Sequence, residues 1–484
     1  MASGIDYFII VAYFAVMLGA GYIGARRSKT HEDYLVAGRR LNFWMFFPAM
    51  AAVILGGGAT FGGSKLGYIH GISGSWLVIM YGLGVITLAL LVSSKLSNMR
   101  IFTISELLEL RFDKWSRLIS AIIAAVYAAM IAVIQVVAIG TVINIILGWS
   151  LQTSMLVGGL IFLIYTEAGG MWSVTLTDVI QFWLMTGGVV LMAIMGLVQV
   201  GGFAGLQAQL DAPFFNWGTI GGKTIFSFFL LYFLGFLVGQ DVWQRLFTAK
   251  DARTARAGTL AAGIYCLIYA VLVAIIGMTA KVIVPGLENA QSAFPALAVK
   301  VLPAGVIGLV LAGALSALMS TASGPSLAAS TLITRDIYVR FINPGCTEES
   351  QLKVSRIVTL IVGAFIIVSA VWIQDVLAAL DVAYDLLSGA IVVPVMAAFF
   401  WKRATWQGTV SSMVISSIVI IVTLAREGLT ATNPIIYGIF TSLLVLVAVS
   451  LLTPPTEPGK LKEWEHKIAS GISPSTEEKP PVQG

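Results

Sequence analysis

Long apolar runs separated by short polar stretches dominate this chain. A bilayer-crossing helix needs about 20 mostly apolar residues. Runs of that kind recur at roughly 5–25, 43–69, 73–95, 118–147, 152–169, 177–200, 224–242, 257–284, 303–332, 357–374, 377–400, 407–425 and 433–453. The pattern predicts an all-α integral membrane protein with about 13 transmembrane helices. The first run reads as a retained span rather than a cleaved leader, because its start lacks a basic region and a basic loop follows it.

Basic residues orient the spans. When inter-span segments are assigned alternately to two sides, 24 of the 29 Lys and Arg residues fall on one side. The other side, or the outer half of a span, holds Lys65, Lys223, Lys281, Lys300 and Arg426. Positive residues mark cytoplasmic loops, so the N-terminus is expected outside and the C-terminus in the cytoplasm. The polar, proline-bearing segment 454–484 is expected to be a disordered cytoplasmic tail.

Composition agrees. The chain is 58% hydrophobic and 11% charged, against about 25% charged for a soluble protein, and its mean hydropathy is +0.92. Its partner is therefore the lipid bilayer, and a net charge of +5 calls for no nucleic acid. Cys266 and Cys346 build no disulfide framework or zinc site, and His31, His70 and His466 are too scattered for a metal centre. No paired in-membrane His/Asp set is visible, so no enzyme is expected, with Asp381 and Asp385 as the nearest approach to one.

Two spans carry polar or flexible interruptions. Residues 51–63 read AAVILGGGATFGG, although glycine costs a helix interior about 1 kcal/mol relative to alanine. Non-helical backbone is tolerated in a membrane only where it lines a cavity or is buried in protein. Transporters use such breaks to bind ions near the midplane, in corresponding positions of two inverted repeats. The partner break is then expected five spans later, in TIFSFFLLYFLGFLVGQDV (224–242), which holds Gly235, Gly239 and Gln240. The competing reading is close helix packing by small residues. The second interruption, ALSALMSTASGPSLAASTLITRDIY (314–338), carries the hydroxyls of Ser316, Ser320, Thr321, Ser323, Ser326, Ser330 and Thr331, with Ser316, Ser320 and Ser323 on one helix face. Hydroxyls and free carbonyls suit a hard cation such as sodium, or else they bond neighbouring helices.

Several motifs together resemble one family. They are KTHEDYLVAGRRL (29–41), EAGGMWSVTLTDVIQ (167–181), QDVWQRLFTAKD (240–251), ALMSTASGPSLAASTLITRDIY (317–338) and FFWKRAT (399–405). In this order they resemble the sodium/solute symporters, which include proline, pantothenate, sugar, sialic-acid and choline carriers. The resemblance covers about residues 5–450. It implies a leucine-transporter-like fold of two inverted five-helix repeats after an extra N-terminal helix. The expected divisions are 1–42 (N-terminal helix and cytoplasmic loop), 43–223 (first repeat), 224–402 (second repeat), 403–453 (two C-terminal helices) and the tail.

The resemblance also implies sodium as the coupling ion. It assigns sodium to the carbonyls of Ala52, Leu55 and Ala317 and the hydroxyls of Ser320 and Thr321. Asp178 matches an aspartate linked to sodium release or to a second sodium. Ser323 matches that second site, whereas Gly324 does not. Ile54 stands where proline carriers have aspartate and choline carriers have tryptophan.

Candidate solute-lining residues are Ala59 and Thr60 after the glycine run, Tyr81 on the next span, Tyr232, Phe236 and Gln240 on the second interrupted span, and Asp381, Tyr384 and Asp385. An ionisable residue in a span marks a functional site by default, and Asp381 and Asp385 share a helix face, unless Asp381 sits at a water-exposed end. Tyrosine rings beside a carboxylate suit a cationic or zwitterionic amine. No Arg or Lys is expected deep in a span, and Lys65 is expected to snorkel to the interface. Half-helix N-termini could still receive an acid.

The expected function is sodium-coupled import of a small polar organic solute, such as an amine, amino acid or other zwitterion, by alternating access. The expected location is the plasma membrane, as a bacterial inner-membrane protein, with no oligomer required. The alternatives are a proton-coupled carrier of the same fold for a small organic acid or vitamin, or a membrane-embedded solute sensor.

Overall fold

In a computed structural model, the described residues are 4–27, 37–91, 93, 101, 103–167 and 170–470. Residues 29–36 of the first family-like motif and 471–484 of the tail lie outside them. The regular elements among the described residues are helices, with one isolated bridge between Leu41 and Ala249.

The helices that frame the site run in chain order. They begin with α1 (Gly4–Arg27), α2 (Phe43–Ile54), α3 (Gly63–His70), α4 (Trp76–Leu91) and α5 (Ile104–Arg111). Next come α6 (Lys114–Leu147), α7 (Leu151–Glu167), α8 (Gly170–Gln199), α9 (Gly222–Phe228), α10 (Gln240–Leu246) and α11 (Ala252–Ile283). The last are α12 (Val306–Thr331), α13 (Glu348–Ile373), α14 (Val376–Phe400), α15 (Trp406–Glu427), α16 (Asn433–Leu452) and α17 (Pro458–Ser470). Several starts are capped by a side chain that accepts an otherwise orphaned N–H. Asp113 takes Ser116 N at 2.9 Å, Asp251 takes Thr254 N at 2.7 Å, and Asp375 takes Leu377 N at 2.9 Å.

Among the described residues, ten helices are long and apolar enough to cross a membrane by length and composition, with three shorter apolar helices beside them. The expected thirteen crossings include those shorter stretches. One of the ten, Gly58–Leu91, contains a turn at Gly71 (φ 66, ψ −143). That backbone conformation favours glycine, and a Cβ there would stand 2.1 Å from Phe214 O. Phe8, Trp44, Val368, Trp372, Phe400 and Leu452 are 69–85% exposed, a pattern that suits a lipid-facing surface rather than water.

Buried polar groups fasten the bundle. Asp6 is fully buried and accepts the N–H groups of Gly305 and Gly308 at 2.7 Å each, tying α1 to the start of α12. The expectation of a disordered tail needs correction over Pro458–Ser470. This segment is helix α17, and it docks on the end of the bundle at residues 398–402. Trp464 is buried, donates to Ala398 O at 3.1 Å and packs on Phe399, while Lys402 pairs with Glu465 at 2.6 Å. Overall polarity concealed one large apolar anchor.

Candidate functional site

The site starts from the end of α2. Leu55 leaves helical geometry (φ −97, ψ 44), although its N–H still reaches Ala51 O at 3.0 Å. After this break the chain resumes as a wide helical turn over Gly58–Gly62. Side chains replace backbone partners here. Gly57 N–H donates to Gln135 Oε1 of α6 at 2.7 Å, and the Thr321 hydroxyl of α12 donates to Ala52 O at 2.9 Å. The Thr60 hydroxyl reaches Leu55 O at 3.5 Å and Tyr269 at 2.7 Å.

Glycine is needed at 56 because the helices converge there. A Cβ on Gly56 would stand 2.6 Å from Thr321 Cγ2 and 2.8 Å from Gln135 Oε1. The break and the close packing are therefore two aspects of one arrangement.

The donor set fits sodium. Ala52 O and Thr321 Oγ1 are hard, uncharged oxygen donors 2.9 Å apart, of the kind a hard cation prefers. Leu55 is fully buried, and Ala317, four residues before Thr321 on α12, is also buried. Ser320 lies on α12, but its side chain lies outside the described residues.

Asp178 and Arg245 form a fully buried ion pair at 2.7 Å. The expectation that no Arg or Lys lies deep in a span did not anticipate this guanidinium, which is buried near the end of Gly222–Leu246. Arg245 follows directly after the second break, on α10, and is 2% exposed. A side chain at Gly324 would begin 3.5 Å from its guanidinium. Ser323 is buried on the same helix.

The second break lies at 237–239, between Leu234–Phe236 and α10, where Gly239 is extended (φ −65, ψ 121). Beside the first break is a cavity of about 20 Å³ lined by Ala59, Tyr81, Phe236, Tyr384, Gln135, Asp241 and Thr321, among others. That space suits a water or an ion; an organic solute needs more, so this conformation is closed around the cavity. The rings of Tyr81 and Phe236 are 4.7 Å apart, and those of Phe236 and Tyr384 are 5.7 Å apart. Tyr127 donates to Asp241 Oδ1 at 3.0 Å.

The other expected solute residues do not line that cavity. Thr60 turns to Tyr269 and lines a separate small cavity with Ala317. Gln240 accepts Ile104 N–H at 2.9 Å and holds α5. Asp381 is buried rather than water-exposed and accepts from Tyr232. Asp385 is fully buried, and neither of its carboxylate oxygens has a hydrogen-bond partner among the described residues. Lys65 does not simply snorkel: it pairs with Asp375 at 2.5 Å. The residues that sequence reasoning did not single out are Gln135, Tyr127, Asp241 and Arg245. Asp241 and Arg245 lie inside QDVWQR, where a charge beside a glycine break was the available signal.

One end of the bundle is tied by ion pairs. Glu109 of α5 receives Arg117 at 2.6 Å and Arg340 at 2.5 Å, and Arg117 also pairs with Asp336. Burial pushes the Glu109 carboxyl up, but the bonds from both guanidiniums outweigh it and hold the group below the usual carboxylate range.

The sodium:solute symporter family profile matches residues 34–416. The chain is 27% identical to a sodium/glucose cotransporter of Vibrio parahaemolyticus, over 86% of this chain and 84% of that protein. It is also 27% identical to a sodium/proline symporter of Salmonella typhimurium, over 91% of each. In structure it resembles a sodium-coupled sialic acid symporter solved in a substrate-bound, outward-open state. The TM-score is 0.81 at 23% identity, covering 94% of this chain and 99% of that one, and this is a likeness of fold.

Proposed function

The chain belongs to the sodium:solute symporter family, whose coupling ion is sodium, and from that premise we propose the following division of labour among its residues. The protein imports a small polar organic solute, an amine, amino acid or other zwitterion, by alternating access across the plasma membrane. Sodium is held by the carbonyls of Ala52, Leu55 and Ala317 and the hydroxyls of Ser320 and Thr321. The observation that carries this reading is the break at Leu55, with the Ala52 carbonyl 2.9 Å from the Thr321 hydroxyl.

The two breaks, at 55–57 and 237–239, support reading 43–200 and 224–400 as inverted five-helix repeats within thirteen spans. Transport then moves one repeat core around a fixed site. The charge partition supports an outside N-terminus, a cytoplasmic C-terminus and a bacterial inner membrane. Asp178 stands on the inward route of the ion, and Arg245 neutralises it while the route is shut. A monomer suffices.

The bound ion supplies a positive charge. Carrying it inward gains about 2.3 kcal/mol per 100 mV, enough for about 40-fold solute accumulation before the sodium gradient is added. Coupling requires that sodium favour the solute-binding state over the others.

Solute uptake into proteoliposomes tests this. Uptake is expected to require an inward sodium gradient and to be lost in Ser320→Ala/Thr321→Ala. Uptake that proceeds without sodium, or that a pH gradient alone drives, would overturn it.

A further inference from the structure

The cavity beside the first break has a chemical character more specific than "polar solute". Among the described residues that line it, Asp241 is the acidic one. Asp241 is the second residue of α10, two after the extended Gly239, so the break aims its carboxyl group toward the cavity. It is 6% exposed. Its Oδ1 is held by the Tyr127 hydroxyl at 3.0 Å, which fixes the direction of the carboxyl group.

The rest of the wall is aromatic. Tyr81, Phe236 and Tyr384 form a continuous ring contact, with centroids 4.7, 5.7 and 6.5 Å apart. The Tyr81 hydroxyl is buried and has no hydrogen-bond partner among the described residues. It stands 3.3 Å from where a Gly58 side chain would begin, so it points at the cavity wall formed by the first break. A polar group left unsatisfied in a membrane interior costs free energy until something binds it.

Further carboxyl groups lie on a neighbouring helix. Asp381 and Asp385 are buried on α14, the helix that supplies Tyr384, and the buried guanidinium of Arg245 is engaged by Asp178 at 2.7 Å. A carboxylate set among aromatic faces is the environment in which an ammonium group is recognised, by charge on one side and ring quadrupoles on the others. An anionic head would meet repulsion there.

We propose that Asp241, with the faces of Tyr81, Phe236 and Tyr384, forms the recognition site for the ammonium group of a small organic cation or zwitterion. Asp241 sets charge selectivity, the three rings contact the ammonium substituents, and the free Tyr81 hydroxyl bonds a neighbouring polar atom of the solute. Tyr127 is a positioning residue that orients Asp241. This rests on the symport reading above and narrows its solute class.

The test uses the full chain in proteoliposomes on a solid-supported membrane, in sodium. Choline and ethanolamine are applied beside their uncharged isosteres, 3,3-dimethylbutan-1-ol and ethylene glycol. An ammonium compound is expected to evoke a transient current that its isostere does not. Asp241→Asn is expected to raise the half-saturating concentration at least tenfold while sodium-induced thermal stabilisation persists, which shows that the variant folds. Phe236→Leu is expected to raise it about fivefold and serves if Asp241→Asn does not assemble. Currents no larger for the ammonium compounds than for their isosteres would overturn the proposal. So would an Asp241→Asn variant with unchanged ammonium affinity. The sodium requirement is scored separately: ammonium-selective currents that persist without sodium strike the symport reading and leave the recognition site standing.

Discussion

Gly56→Ala probes the meeting of the first break with α12. The added Cβ would lie 2.6 Å from Thr321 Cγ2, 2.7 Å from Thr321 Cβ and 2.8 Å from Gln135 Oε1. Because Thr321 Cβ itself is too close, a rotamer change cannot relieve the contact, and α12 must move away from α2. Overpacking of this kind costs about 1–3 kcal/mol. The usual helix-propensity gain of alanine over glycine does not offset it, since residue 56 lies in the broken stretch rather than in a helix interior. If the strain falls on the Ala52–Thr321 contact, sodium affinity drops about 5- to 150-fold, at 1.36 kcal/mol per factor of ten. Gly58→Ala is the internal control. Its Cβ meets Leu380 Cδ1 at 3.1 Å, the far end of a flexible side chain, and sodium affinity should stay within about threefold of the unmodified chain. The assay is the sodium-dependent rise in melting temperature of the purified protein, which follows ligand concentration over Kd. Gly56→Ala with unchanged sodium affinity would refute the claim that glycine is needed here to bring the two helices to the ion.

Two further outcomes follow from the end of the bundle that carries Glu109 and α17. Glu109 is held below the usual carboxylate range in the folded state, so its stabilising effect is full above about pH 4.5 and declines as pH falls through its lowered value; Glu109→Gln should melt lower than the unmodified chain at neutral pH, with the gap closing in acid, and a gap independent of pH would contradict the assignment. Trp464→Ala removes a buried ring and its bond to Ala398 O; a loss of about 3 kcal/mol, read as a lower melting temperature or faster proteolysis after Thr453, is expected, and unchanged melting would mean that α17 is not docked in solution.

The break in the first interrupted span was legible because glycine weakens a helix in proportion to its local density, and three in succession leave a single strong signal. The second break was marked more faintly by Gly235 and Gly239, and the structure opens the chain at 237–239. Membrane class followed from hydropathy alone. Pairings between distant segments were not legible. Nothing local says that Gln135 will replace the helix partner of Gly57, or that Arg245, placed by sequence with the basic loop residues, will turn inward to Asp178. Gln240 and Asp241 are adjacent, and the direction of the chain after Gly239 decides that Asp241 lines the cavity while Gln240 caps α5. The tail was misjudged because one buried tryptophan can dock a helix whose other residues are polar.

Direct binding of radioactive ²²Na⁺ to the purified, solute-free protein tests the central claim most closely. The account predicts saturable binding to the unmodified chain, at least a tenfold loss of affinity in Thr321→Ala, and recovery in Thr321→Ser, which restores the hydroxyl. Thr321→Ala that binds sodium as tightly as the unmodified chain would contradict it and place the coupling ion elsewhere.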